Sequence, residues 1–308
     1  MRPAASAWIA LAIVLVVAPG VLGVASRTRA LLTRRRGAPV LQSYYDLLKL
    51  LRRGSVLSDT TSRVFRAAPV CLVASTILAG AVIPLDGRAA LIRFPGDVVA
   101  LVYALAFGRF LLVLAALDTG SSFEGMGASR EVTVASIVEL GLFLSFGTLA
   151  ALTKTSSLSG MLGAPLAAAW PTGSPAILMT AVGLFALMLA ECARMPVDDP
   201  ATHLELTMIH EVMILDHSGP DLALILYSSA LELSIIAAII VTLLAPRGDM
   251  PVAVSLAVLA AGLLATGVAI GIVEATVARL RLPKIPLYLA SAASLGLFSL
   301  VLVLWSSP

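Results

Sequence analysis

The sequence has few cysteines and few charged side chains, and each shortage argues against a class of protein. Its 308 residues include two cysteines, Cys71 and Cys192, so the chain alone cannot supply four thiolates to an iron–sulfur cluster or a structural zinc. Charged residues make up 13%, about half of the roughly 25% usual in soluble domains. Hydrophobic residues make up 59% and the mean hydropathy is +1.00, which is more apolar surface than one soluble core buries. These values disfavour disordered chains, disulfide scaffolds and ordinary soluble enzymes, and they predict a polytopic membrane protein.

Eight windows are apolar over the roughly 20 residues that a helix needs to cross the hydrocarbon layer. They are residues 7–24, 67–83, 98–117, 132–152, 175–190, 222–244, 252–273 and 287–305. Continuous apolar runs favour helices over the alternating strands of a barrel. We therefore predict an all-α fold of eight transmembrane helices, forming a single membrane domain over residues 1–308. The first window resembles a signal peptide, but the arginines that follow it indicate a retained span.

The distribution of Lys and Arg predicts the orientation of the chain. With the amino terminus outside, the cytoplasmic loops 1–2, 3–4, 5–6 and 7–8 contain ten, one, one and three basic residues. The opposite side contains five, which are Arg2, Arg88, Arg93, Lys154 and Arg247. Because the cytoplasmic loops have fifteen basic residues and the opposite side has five, we predict that both termini lie outside. The three polar stretches, residues 26–66, 118–131 and 191–221, then lie at the inner face.

Two of these inner loops are predicted to contain amphipathic helices. In loop 1–2, Leu41, Tyr44, Leu48 and Leu51 recur at helical spacing over residues 40–51, which is typical of a helix at the membrane surface. Its basic face could bind anionic lipid or a soluble partner. In loop 5–6, acidic residues precede Pro200, which predicts a helix over residues 200–216.

The same loop contains all three histidines, but their spacing argues against a metal site. His203, His210 and His217 are seven residues apart, so successive rings lie about 10 Å apart along a helix. One zinc ion needs ligand atoms near 2 Å from it. We expect no metal site, and we expect the histidines to be hydrogen-bonded among the acidic residues or to belong to a proton path.

Three charged residues fall inside the spans, where charge is costly and indicates function. Arg109, Glu139 and Glu232 lie about 13, 12 and 16 Å from the inner boundary, from their residue counts and the helical rise. Equal depth on consecutive helices predicts that Arg109 pairs with Glu139 or shares a hydrated cavity with Glu232. The alternative is an ion pair that only fixes helix register. With Glu191 and Glu274 at inner helix ends, the carboxylates would form a funnel suited to a proton relay.

The sequence resembles a known family in the loops at the predicted inner face. The motif Glu191-x-x-Arg194-x-Pro196-x-Asp198-x-Pro200, followed by Glu205-Leu206, His210 and Ser218-Gly219, resembles the NADH dehydrogenase subunit 1 family. Its members are the membrane subunits next to the hydrophilic arm of respiratory complex I. The segment Gly37-x-Pro39-x-Leu41-Gln42-x-x-x-Asp46-x-x-Lys49-Leu50 resembles the same family. That family also has eight spans with both ends outside.

One departure points to a branch of the family. Complex I members usually continue with Pro-Glu-Ala-Glu-x-Glu-Leu, whereas this sequence has Pro200-Ala-Thr-His203-Leu-Glu205-Leu206. The stretch from Asp199 to Glu211 is similar to the homologous subunit of formate hydrogenlyase and hydrogenase-4, the group 4 membrane-bound nickel–iron hydrogenases. The segment Gly127-Ala-Ser-Arg130-Glu131 with Glu139 is similar to that branch as well.

The resemblance implies a multi-pass, non-catalytic subunit of an oxidoreductase complex in a bacterial or archaeal plasma membrane. Its partners would be a nickel–iron large subunit, an iron–sulfur small subunit and antiporter-like membrane subunits. The cofactors would be the nickel–iron centre and iron–sulfur clusters of those partners, with none in this chain, and the missing glutamates put a quinone in doubt. Nothing indicates nucleic-acid binding.

The resemblance and the depth estimates together assign residues to two roles. The proposed proton path and coupling loop comprise Arg109, Glu139, Glu191, Arg194, Asp198, Asp199, Glu205, His210, Glu211, Glu232 and Glu274. The proposed docking surface for the soluble arm comprises Arg34, Arg35, Arg36, Gln42, Asp46, Lys49, Arg130 and Glu131. Two alternatives remain: a complex I member of the family with a quinone site, and a stand-alone ion transporter.

Overall fold

The helices follow the predicted spans along the chain. A computed structural model describes residues 5–58, 60–198, 208–247 and 250–306. All regular elements in these ranges are helical: α1 (Ala5–Leu32), α2 (Gln42–Leu51), α3 (Arg63–Val82), α4 (Asp97–Asp118), α5 (Ser122–Thr153), α6 (Leu158–Met161), α7 (Ala164–Glu191), α8 (His210–Met213), α9 (Gly219–Leu244), α10 (Val252–Thr276), a 3₁₀ turn (Leu282–Lys284) and α11 (Ile285–Ser306). Eight of them, α1, α3, α4, α5, α7, α9, α10 and α11, are long and apolar enough to cross a membrane. The predicted all-α fold with eight spans is confirmed, and the sidedness of the termini stays a prediction.

Two spans begin about three turns earlier than their apolar windows. Helix α5 begins at Ser122, inside the stretch 118–131 that was expected to be a loop. Its early carboxylates, Glu124 and Glu131, are buried against the protein, so polarity there does not end the helix. Helix α7 begins at Ala164 and contains Pro171 and Pro175. Prolines of this kind are tolerated in membrane helices because neighbouring groups satisfy the freed carbonyls.

Helix α9 lies at the centre of the bundle. It contacts α1, α3, α7 and α10, and 72% of its most apolar window is buried, compared with 33% in α10. Around it, α3 packs against α4, and α5 packs against α4, α7 and α11. Side chains on α4, α5, α7 and α9 can therefore converge in the interior.

Two glycines allow α10 to approach α1 closely. A Cβ on Gly267 would lie 2.8 Å from the carbonyl oxygen of Val21, and one on Gly271 would lie 2.5 Å from that of Ala25. Both contacts are with backbone, which cannot rotate away. Small residues four apart are a common way for membrane helices to pack without a hydrophobic driving force between them.

The two predicted amphipathic helices have different outcomes. Helix α2 is present, Tyr44 donates a hydrogen bond to the carbonyl of Val16 on α1 at 2.6 Å, and Leu41, Leu48 and Leu51 are exposed, as expected for a surface helix. In loop 5–6 only the turn α8 is helical among residues 208–218. The expected helix to residue 216 is wrong there, because the buried Glu124 accepts a hydrogen bond from the backbone of Asp216 and the chain folds around it. Its predicted start at Pro200 lies outside the described residues.

The contact between α1 and α10 gives a stability prediction. Gly271→Ala should destabilise the protein by about 1–3 kcal/mol, because the new methyl overlaps a backbone carbonyl. Thermal unfolding in detergent, followed by tryptophan fluorescence, measures the effect. Gly147→Ala on α5 is the control, since its nearest atom lies 4.0 Å away and alanine is the better helix former. Equal melting temperatures for the two variants would contradict the prediction.

Candidate functional site

Arg109, in the interior of the bundle, is surrounded by four carboxylates. Arg109 on α4 has its Nε 3.4 Å from Glu131 and its Nη1 3.6 Å from Glu139, both on α5. Its Nη2 directly contacts Glu191 at the end of α7 and lies 3.6 Å from Glu232 on α9. The pairing of Arg109 with Glu139 that equal depth predicts is present. We call these five residues the Arg109 cluster.

Close helix approaches bring the members of the Arg109 cluster together. A Cβ on Gly108 would lie 2.5 Å from the Oγ of Ser75, so α4 lies against α3 beside Arg109. A Cβ on Gly141 would lie 2.7 Å from Leu187, so α5 and α7 are equally close where they bear Glu139 and Glu191. The bundle is therefore narrow enough for four side chains to reach one guanidinium.

A small cavity lies inside the Arg109 cluster. Its volume is about 20 Å³, and its lining includes Glu191, Glu232, His210 and Ser229. Arg109 Nη1 and Glu232 Oε1 have no hydrogen-bond partner among the described residues. A cavity of this size with several polar walls fits one water molecule, which could bridge the cluster members.

A larger cavity opens between the cluster and the predicted inner face. It has a volume of about 180 Å³ and is bounded by α1, α2, α8, α9 and the turn at 192–194. His210 and Ser229 line both cavities, so they stand between them. Asp46, Arg194 and Glu211 also line the larger one. Burial raises the pKa of the Cys192 thiol in its wall, which keeps that thiol neutral and unreactive.

Two further sets of ion pairs hold the loop around this cavity. Arg194 lies 3.4 Å from Glu274 on α10, and the other oxygen of that carboxylate is 4.0 Å from Arg29. Asp198 accepts a hydrogen bond from Arg279 at 2.9 Å and two from the backbone N–H groups of Ile209 and His210. The loop is thereby tied to α1, to α10 and to the segment before the 3₁₀ turn.

The structure places most of the predicted path residues near the cluster. Asp199, Glu205 and His203 lie outside the described residues. Glu131, expected at the docking surface, lies instead in the Arg109 cluster, since α5 continues past it for nine residues toward the predicted inner face. Arg130 is part-buried and donates to the carbonyl of Met208 at 3.0 Å.

The other docking residues lie toward the surface around α2. Gln42 donates to Asp46 at 2.8 Å, one turn along the helix. The exposed members of this group are Arg34, Arg35, Arg36, Asp46 and Lys49. Asp46 therefore belongs both to this surface and to the wall of the larger cavity.

The sequence pattern does not predict the burial of three polar groups. One of them is His217, which was expected instead to be hydrogen-bonded among acidic residues or to belong to a proton path. Glu124 is 1% exposed at the start of α5. His217 stacks on Phe65, with ring centroids 3.9 Å apart, and neither ring nitrogen has a hydrogen-bond partner in the described ranges. Arg247, counted as a loop charge, is fully buried and donates to Thr242 and to the carbonyl of Ser255, and burial lowers its pKa to about 10. Local composition gives no signal for any of them, because each is buried by distant segments.

The fold and the buried cluster define a multi-pass membrane protein with an intramembrane charge network, and comparisons with known proteins give its family. The family model for NADH dehydrogenase matches residues 5–305. This chain therefore belongs to the NADH dehydrogenase family.

Two relatives and one solved structure are similar to this chain. Hydrogenase-4 component C of Escherichia coli (strain K12) is 32% identical over 77% of this chain and 73% of that protein. Formate hydrogenlyase subunit 4 of the same organism is 29% identical over 88% of this chain and 89% of that protein. A chain of the archaeal membrane-bound sulfane sulfur reductase shares the fold, with a TM-score of 0.83, 19% identity, and coverage of 97% of this chain and 98% of that one.

The Arg109 cluster gives a charge-balance prediction. Arg109→Met should destabilise the protein by about 3–5 kcal/mol, because four buried carboxylates lose their cation. Arg109→Lys retains the charge and should be intermediate. Thermal unfolding in detergent at neutral pH measures both, with Arg35→Met at an exposed position as the matched control. A cluster variant as stable as the control would refute a role for Arg109 in charge compensation.

His217 gives a pH prediction. Burial lowers its pKa below the ordinary 6.5, although the nearby Asp216 and Asp221 act in the opposite direction. The unfolded chain therefore binds more protons as the pH falls through 6.5, and stability should decrease from there toward the folded pKa. His217→Phe keeps the stack on Phe65 and should lack this decrease. Melting temperatures between about pH 7.5 and about pH 5 test it, and identical slopes would count against it.

Proposed function

We propose that this chain is the membrane subunit of a complex I-like hydrogenase or formate hydrogenlyase complex. In this role it anchors a hydrophilic electron-transfer arm and couples its redox chemistry to proton or sodium translocation. The two relatives named above, matched over most of their length, support this class over a stand-alone transporter. The Arg109 cluster, joined through His210 to a cavity at the predicted inner face, is the observation that carries the coupling role.

The Arg109 cluster has more carboxylates than cations. If all four carboxylates were ionised, the cluster would carry three net negative charges inside the bilayer, which is costly. In this proposal, protons that enter along the path supply the missing positive charge. The number of protons held then depends on any charge that appears nearby. A redox change in an adjacent arm would supply that charge.

The proposed proton path runs through the larger cavity and the small cavity. A proton from the predicted inner face would enter the larger cavity, pass His210 and Ser229, and reach Glu232 and Glu191 through the small cavity. From there Arg109 connects to Glu139, whose side chain is 32% exposed on the surface of the bundle. A carboxylate exposed to lipid at this depth is costly. We therefore place an antiporter-like membrane subunit against α5 at Glu139, where it would receive the proton.

The docking surface for the arm lies beside the mouth of the larger cavity. Its basic members, Arg34, Arg35, Arg36 and Lys49, are exposed next to Asp46, which also lines the cavity. An arm bound there would bring its redox centre close to the path. The arm's nickel–iron and iron–sulfur subunits would provide the cofactors, and the complex would reside in a bacterial or archaeal plasma membrane.

The larger cavity, as the described residues bound it, is small for a quinone. Its volume of about 180 Å³ is below the roughly 300–1,000 Å³ of typical small-molecule sites. Its described lining is mostly apolar, and Asp46, Arg194, His210 and Glu211 are its charged and imidazole members. We derive no step through a quinone.

The metal and subunit composition of the purified complex tests whether this chain belongs to a hydrogenase-type complex. The tagged chain, purified from membranes in mild detergent, should carry nickel and iron in fixed ratio together with hydrophilic subunits. Metal analysis and mass spectrometry of the purified complex give both values. Recovery of the chain as a homo-oligomer without metal would overturn the class.

Proton coupling tests the path. In inverted membrane vesicles, Glu139→Gln, Glu232→Gln and His210→Gln should each lower the protons moved per electron transferred. Hydrogenase activity with artificial dyes should persist, because these residues touch no cofactor. Asp216→Asn, an exposed carboxylate at the same end of the bundle, is the control and should keep the normal ratio. A normal ratio in all three path variants would exclude this route.

A further inference from the structure

A basic cleft lies at the opposite end of the bundle from the docking surface. It is formed by the α3–α4 connection and the segment that follows α5, and it has a volume of about 700 Å³. Arg88, Arg93 and Lys154 line it, together with hydroxyl groups between Thr155 and Ser159. We call it the basic cleft. It is separate from the Arg109 cluster and from both cavities of the proposed path.

The concentration of positive charge there is unusual for this end of the bundle. Of the five basic residues outside the spans at this end, three line the basic cleft, Arg247 is fully buried, and Arg2 lies outside the described residues. The charge count assigns this end to the outer face, where Lys and Arg are normally scarce. Their convergence on one cleft therefore indicates a ligand of opposite charge.

The described lining of the basic cleft contains no carboxylate. Asp86 and Asp97, the acids that adjoin it in the described ranges, are almost fully buried. Asp86 accepts a hydrogen bond from Ser6, and Asp97 accepts one from the backbone of Leu158. The guanidinium of Arg88 donates to a neutral acceptor, the carbonyl of Met250, at 2.7 Å.

The two walls of the cleft are held in place by hydrogen bonds. The N–H of Gly96 donates to the carbonyl of Ser156 at 2.9 Å, and the N–H of Ala90 donates to the Oγ of Ser159 at 3.0 Å. Lys154 immediately follows the last residue of α5, where its charge is favourable at the carboxyl end of the helix. The cleft is therefore built by the fold before any ligand arrives.

Aromatic residues place the cleft at the level of lipid headgroups. All three tryptophans lie near this end of their helices, and Trp8 and Trp305 are 58% and 88% exposed. Exposed tryptophans mark the membrane–water interface. Phe94, also exposed, lines the cleft three residues before α4 begins, and Ile92 is exposed beside it. A ligand with an anionic head and apolar chains would therefore contact both cations and apolar side chains.

We propose that the basic cleft binds the phosphate headgroup of an anionic phospholipid. Two guanidinium groups, one ammonium and several hydroxyls provide the donors that a phosphate needs. The acyl chains would extend past Ile92 and Phe94 into the bilayer. The bound lipid would link the ends of α4 and α5, and this inference does not depend on the proposed coupling function.

Retention of lipid tests the proposal. The complex containing the full chain is purified in mild detergent and titrated with phosphatidylglycerol, with phosphatidylcholine, or with inorganic phosphate alone. Native mass spectrometry counts bound lipid, and thermal unfolding reports stabilisation. Phosphatidylglycerol should bind and raise the melting temperature, whereas phosphatidylcholine and phosphate should not. Equal stabilisation by phosphate would overturn the lipid assignment.

Substitutions locate the site. R88Q/R93Q/K154Q should weaken phosphatidylglycerol binding by about 100-fold, and K154Q alone by about fivefold, because each cation near a membrane surface contributes similarly. R52Q/R53Q/R63Q removes three exposed charges at the other end of the bundle and should leave phosphatidylglycerol binding at the cleft unchanged. If the triple cleft variant does not fold, K154Q decides the question. Unchanged affinity in the cleft variants, or equal loss in the control, would overturn the proposal.

Discussion

The position of one guanidinium in the bilayer interior determines much of this architecture. Arg109 cannot be buried without compensating charge, and its compensation comes from Glu131, Glu139, Glu191 and Glu232 on three other helices. Those helices must therefore meet at one depth. The glycine contacts beside α4 and between α5 and α7 allow that convergence. The bundle's central helix, α9, completes the enclosure and contributes Glu232.

The same cluster explains why the loop after α7 is folded against the bundle. Glu191 ends α7 at the cluster, and within seven residues Arg194 and Asp198 pair with Glu274 and Arg279. The loop is thereby held where His210 can separate the two cavities. The charges of the Arg109 cluster and those of the loop at the predicted inner face thus lie on either side of His210. A change of charge on either side of His210 would be felt on the other, because buried electrostatic interactions are weakly screened.

Hydropathy and helical rise recover the spans, since each must provide about 20 apolar residues and satisfy its own backbone. Depth alone also brings Arg109 and Glu139 together. Depth does not predict the position of Glu131 in the cluster. The polar residues 118–131 were predicted to lie outside the span, whereas α5 begins at Ser122 because Glu124 and Glu131 are buried. The turn at 208–218 and the stack of His217 on Phe65 depend on contacts between distant segments, which local pattern does not contain.

Helices α4 and α5 contribute both to the basic cleft and to the Arg109 cluster, so these two helices connect the two ends of the molecule. Helix α4 begins beside the cleft and carries Arg109 about half-way along, while α5 ends at the cleft and carries Glu131 and Glu139. Hydrogen bonds already join the segments beyond these helix ends. A headgroup bound there would stabilise this arrangement of α4 and α5, by the general rule that a ligand stabilises the state it binds. Because Arg109 touches carboxylates on α5 at 3.4 and 3.6 Å, the spacing of these two helices sets the strength of both ion pairs.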